Sequence, residues 1–65
     1  MSMKLIRIKE VMDRTGLARS TIYKYMDEGR FPKQLKLGTH SAAWVESEID
    51  AWINDIIERR GSVVV

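Results

Sequence analysis

The spacing of apolar residues changes period along the 65-residue chain, and each change marks an element. Leu5, Ile6 and Ile8 form a short apolar stretch that predicts a strand entering a first helix. From Ile8 to about Arg14, Ile8, Val11 and Met12 recur at i, i+3 and i+4, with Lys9, Glu10, Asp13 and Arg14 on the outer side. That spacing draws one apolar stripe along a helix. Thr15-Gly16 stops it, since glycine adopts the left-handed conformation of a helix C-cap without a Cβ penalty. Leu17 then drops back into the core. A second helix is predicted from Arg19 to Glu28, with Ala18, Ile22, Tyr25, Met26 and Gly29 on one face and Ser20, Tyr23, Lys24 and Asp27 on the other. Gly29 suits its end, and Pro32 prevents its continuation. Two short helices joined by the turn TGLA carry the helix-turn-helix signature.

Beyond Pro32 the period falls to two. In Lys33 to Leu37, Leu35 and Leu37 take one side while Lys33, Gln34 and Lys36 face solvent. Gly38-Thr39-His40-Ser41 reads as a turn and Ala42 to Val45 as the returning strand, which makes a β-hairpin. The clearest helical period is the last one: Ile49, Trp52, Ile53, Ile56 and Ile57. Ser47 is expected to be its N-cap, with Asp50 in the capping-box place, and Gly61 its stop. Trp44 and Trp52, with Leu35 and Leu37, are expected to bury the largest apolar area. Tyr25 is expected in the core with its hydroxyl at the rim. The fold class that follows is mainly α with a small β-hairpin, a winged helix-turn-helix over residues 1–61. Residues 62–65 form a short tail that either frays or pairs with a strand edge of a second copy.

Size and composition narrow the function. A chain this short is one domain, burying only about 60% of the surface it exposes when unfolded. It contains no cysteine, which rules out disulfides and thiolate zinc sites and fits a reducing cytoplasm. The longest apolar run, three valines, is far too short for a membrane span, and MSMKLIRIKE does not resemble a secretory signal. Cytoplasmic residence without membrane contact is the expectation. His40 is the sole histidine, so neither a metal site nor a catalytic base with an orienting acid can be assembled. The core is also too small to enclose a substrate. A non-enzyme without cofactors is expected.

Charge is informative through its distribution. The net charge of +2 divides into +5 up to Val45 and −3 from Glu46 onward. Such segregation suits a polyanion-facing surface backed by an acidic side, or two ordinary solvated faces of opposite sign. The stretch GLARSTIYKYM concentrates the chemistry that duplex DNA demands. Recognition helices present their first turns to base edges in the major groove. Arg19 can bond bidentately to guanine, Ser20 can donate or accept, and Lys24 can hold phosphate or guanine. Tyr23 can reach a phosphate or a sugar edge, and Thr21 lies on the flank. Lys33 and Lys36 are available to phosphate from the hairpin. The competing reading makes all of these the exposed side of an ordinary amphipathic helix and hairpin.

Taken together, LIRIKEV (Leu5 to Val11), TGLARSTIYKYM (Thr15 to Met26), GRFPKQLKLG (Gly29 to Gly38) and AWVESEIDAWI (Ala43 to Ile53) resemble the AlpA family of prophage regulatory proteins. That family lies within the MerR-like and excisionase-like winged helix-turn-helix domains. The resemblance implies a small DNA-binding fold, carried on mobile elements, that activates transcription or assists prophage excision. By position it makes Arg19 to Lys24 the recognition segment and Gly38 to Ser41 the wing tip, adding Thr39, His40 and Ser41 to the DNA-binding set. Two departures stand out. Ala18 replaces a serine that often caps the recognition helix, and His40 replaces the usual Arg or Lys of the wing tip. Transcription regulation leads among the functions implied, followed by excisionase-like architectural binding. A winged-helix adaptor for an integrase, a polymerase subunit or a response regulator is a third class. One copy makes few contacts, so a homodimer or a cooperative array on repeated sites would restore affinity.

Overall fold

A computed structural model describes residues 3–63, with side chains through Arg60. The elements run β1 (Leu5–Ile6), α1 (Ile8–Thr15), α2 (Arg19–Asp27), β2 (Leu35–Gly38), β3 (Ser41–Val45) and α3 (Glu46–Val63). The hairpin β2–β3 is extended by β1 into an antiparallel sheet of order β1-β3-β2. Leu5 lies opposite Val45 and Ile6 opposite Trp44. The chain start is thereby fastened to the wing rather than merely leading into α1.

One cluster holds these elements together. Ile6, Val11, Ile22, Phe31, Trp44 and Ile49 are buried, with Ile8, Met12, Leu17, Tyr25, Met26, Trp52 and Ile53 packed around them. Burial stabilises each large aliphatic or aromatic side chain by about 1.5–3 kcal/mol, and every element but β2 contributes one. The two tryptophans also anchor the loop between α2 and the wing. Trp44 donates its indole N–H to the Pro32 carbonyl at 3.1 Å, and Trp52 donates to the Arg30 carbonyl at 2.7 Å. Between those two bonds Phe31 meets Trp52 edge-on, with ring centroids 4.8 Å apart.

The helix-turn-helix is built as its glycines suggested. Gly16 caps α1 at φ 73°, its N–H donating to the Met12 carbonyl. Thr15 tightens the turn by donating its hydroxyl to Val11 and accepting the Leu17 N–H. Gly29 takes φ 72° just past α2. The N-cap of α2 is Ala18, exposed rather than on the buried side, and no side chain caps the helix. Lacking an acceptor there costs about 0.5–2 kcal/mol against a serine cap.

Three further expectations fail. Leu35 and Leu37 are not core residues: they are 42% and 53% exposed. β2 is an edge strand, and its pairing with β3 slips between Lys36 and Gly38, which breaks the alternation. Ser47 is not the N-cap of α3, because the helix starts at Glu46 directly from β3. The Glu46 N–H instead donates to the Lys4 carbonyl at 2.8 Å. Gly61 does not stop α3, which runs on to Val63; glycine in a helix costs about 1 kcal/mol but does not forbid it. Of the expected tail, residues 64 and 65 lie outside the described residues, as do the side chains of 61–63. Among the described residues no helix is long and apolar enough to cross a membrane.

Candidate nucleic-acid interface

α2 is fixed to the core by Ile22, which is fully buried, so Ser20 and Lys24, two positions to either side and close to half a turn away, must face outward. Arg19, Ser20, Tyr23 and Lys24 are all exposed, while Thr21 is half-buried on the flank. On the wing Lys33, Lys36, Thr39 and His40 are exposed, and Ser41 is half-buried where it pairs with Gly38. Thr39 and His40 thus form a two-residue tip.

Helix and wing meet in a cleft lined by Arg7, Ile8, Arg19, Tyr23, His40, Ala42 and Trp44. This cleft brings Arg19 and Tyr23 together with His40, residues that sequence places in separate segments. It does not gather Lys24, Lys33, Lys36, Thr39 or Ser41, which lie outside its lining. Trp44, fully buried, ties the cleft directly to the core.

The cations divide by location. Arg14 donates to Glu10 and Glu46 at 2.7 Å and to Asp50 at 3.1 Å, joining α1 to α3. Donating to the carboxylates of Glu10 and then Glu46 raises the Arg14 pKa above its ordinary value, so its charge is constant across any working pH. Lys4 lies 3.9 Å from Glu46, and Arg30 pairs with Glu28 at 3.0 Å. Arg30 also stacks over Tyr25, 4.4 Å from its ring centroid. Arg59 pairs with Asp55 along α3. Among the described residues, Arg7, Lys9, Arg19, Lys24, Lys33, Lys36 and Arg60 form no ion pair. The +5 of the first two-thirds is therefore partly cancelled by the acidic third, and all of these cations but Lys9 on α1 and Arg60 on α3 lie on α2, the wing or the cleft. No three His, Asp or Glu side chains among the described residues cluster as metal ligands do.

Arg7 is the cleft residue that sequence reading missed. Its signal was there: an arginine between two inward isoleucines, Ile6 and Ile8, has to leave the domain on another side. It serves as the N-cap of α1 and donates Nη1 to the Ala42 carbonyl at 3.0 Å.

Comparison with known proteins agrees with this architecture. The profile of the family described as prophage CP4-57 regulatory protein (AlpA) matches residues 4–57. A relative from Enterobacteria phage P4, named uncharacterized protein ORF88, is 46% identical over 50 residues, covering 77% of this chain and 57% of that one. The chain thus spans little more than half of the phage protein's length. The DNA-binding transcriptional activator AlpA of Escherichia coli K12 is 36% identical over 59 residues, covering 82% of this chain and 84% of that one. With the family profile spanning both helices of the turn, the wing and most of α3, the chain belongs to the AlpA family of prophage regulatory proteins.

Proposed function

We propose that this protein is a sequence-specific DNA-binding regulator of the prophage or mobile-element type. α2 enters the major groove, where Arg19, Ser20 and Lys24 read base edges while Thr21 and Tyr23 orient the helix on the backbone. Lys33, Lys36, Thr39, His40 and Ser41 hold the flanking phosphates from the wing. The observation that carries the reading is the gathering of most of the unpaired cations, Arg7, Arg19, Lys24, Lys33 and Lys36, on α2, the wing and the cleft between them. The name of the E. coli relative, a DNA-binding transcriptional activator, supports transcription as the process served. A single domain offers few contacts, so tight binding calls for two or more copies on adjacent sites.

Selection from a random duplex pool, followed by titration at several salt concentrations, tests this. A recovered consensus is expected, with log affinity falling against log salt at a slope of roughly −4 to −7 if two copies neutralise about 4–8 phosphates. No consensus, or a flat salt dependence, overturns the reading. Bending of the same duplexes separates regulation from excisionase-like architecture, since only the latter requires strong deformation.

A further inference from the structure

Arg7 stands where three parts of the molecule join. It follows β1, caps α1, and reaches β3 through its bond to the Ala42 carbonyl. Ala42 is the register partner of Lys36, so that bond grips the hairpin partway along its length. A guanidinium has five N–H donors in a planar fork. The bond to Ala42 uses one, and the exposed remainder borders the cleft beside Arg19, Tyr23 and His40. No carboxylate lines that cleft, and Arg7 has no ion-pair partner among the described residues. A neutral donor would suffice to hold a carbonyl. A full charge, kept exposed and unmatched next to a second arginine, calls for an anion.

We propose that Arg7 binds one phosphate of the DNA backbone in the cleft between α2 and the wing, fixing the angle between them by holding Ala42 and the phosphate together. This rests on the DNA-binding reading above. Tyr23 and His40 offer further donors from opposite walls. The fork geometry explains arginine over lysine, because an ammonium point charge cannot present two directed donors to separate acceptors as well.

The test uses the full chain and a duplex selected by the wild type from a random pool, with wild type, Arg7→Gln and Arg7→Lys titrated across salt. Thermal unfolding of each variant establishes that it is folded. Arg7→Gln is expected to lose about five-fold in affinity near 0.15 M salt on every duplex, with the salt slope shallower by about 0.9, the value of one phosphate contact. Arg7→Lys should keep the slope and lose part of the affinity. Replacing phosphates one at a time by neutral methylphosphonates should then reveal one position that weakens wild type but leaves Arg7→Gln unchanged. An Arg7→Gln variant with the wild-type slope, whether or not affinity falls, limits Arg7 to bracing the wing and overturns the proposal. If Arg7→Gln does not fold, the same map on Arg7→Lys decides: an equal penalty at every phosphate in both proteins overturns it. Failure of the wild type to select any duplex sinks the DNA reading itself, before any variant is compared, and this inference with it.

Discussion

Where α1 meets α3, every cation that the two helices bring together is answered by acid: Arg14 by Glu10, Glu46 and Asp50, and Lys4 nearby by Glu46. Where α2 meets the wing, Arg7, Arg19, Lys24, Lys33 and Lys36 are left unanswered. The first region spends its charge on joining its own elements, and the second holds charge in reserve for something outside. Counting charge along the chain blurs this, because it credits Arg14 and Lys4 to the basic side. The division is spatial, and α3 supplies the acids that make it. A +2 domain can thus gather most of its unpaired cations on one side.

The largest effect should come from removing what both regions stand on. Trp44 is fully buried, pairs with β1 through Ile6 and bonds Pro32. Trp44→Ala is expected to cost about 3–5 kcal/mol. At about 0.05–0.15 kcal/mol per residue a domain of this size has little more than that to lose. Denaturant titration should show a largely unfolded chain at room temperature. A cooperative, near-wild-type transition would mean that the sheet and the helices do not share one core.

A reciprocal pair tests the comparison itself. Arg19→Ala should cost about 1–3 kcal/mol of specific binding and relax preference at one base position, with the melting temperature unchanged because the side chain is exposed and unpaired. Arg14→Ala should do the opposite, lowering the melting temperature while leaving affinity and salt slope per folded molecule as they were. If Arg14→Ala shallowed the slope, or Arg19→Ala destabilised the fold, the two regions would not be the separate systems described.

Much of this was legible in the sequence where the information is local. The stripe of α1, the first half of the α3 stripe (Ile49, Trp52 and Ile53) and the left-handed glycines Gly16 and Gly29 all act within a turn or two of the backbone, whereas Ile56 and Ile57 at the far end of the α3 stripe are exposed. The outward placement of Ser20, Tyr23, Lys24 and Asp27 followed from the same periodicity. What failed depends on distant partners. Leu35 and Leu37 alternate as core residues should, yet no element covers their strand, and only the tertiary arrangement reveals that. Phe31, a lone aromatic between Arg30 and Pro32, belongs to no period, and its burial comes from Trp52. Glu46 reads as a helix-start acid, although its place is set by Arg14, 32 residues earlier. The cleft that Arg7 borders was hidden for the same reason, although the outward placement of Arg7 was not: its neighbours in space are on α2 and β3.

Lys36→Ala sharpens the comparison from the wing side. It is exposed and unpaired on β2, beyond the cleft lining. A lysine that touches only phosphate should weaken selected and unrelated duplexes about equally and shallow the slope by about 0.9. A loss confined to the selected duplex would show that the wing reads bases, moving part of the specificity away from α2.

The smallest effect concerns His40, which lines the cleft from the wing tip. His40→Arg places a permanent cation and a donor fork at that point. If the tip reaches the backbone, the variant should bind more tightly than wild type at pH 8, by up to about five-fold for one screened contact. The cleft makes the outcome diagnostic, since Arg7, Arg19 and Tyr23 line it with His40. A tip that only extends into solvent would give equal binding by wild type and His40→Arg. The backbone in the cleft would then be held from the α1 and α2 side alone, by Arg7, Arg19 and Tyr23, and the wing would act through Lys33 and Lys36 instead of its tip.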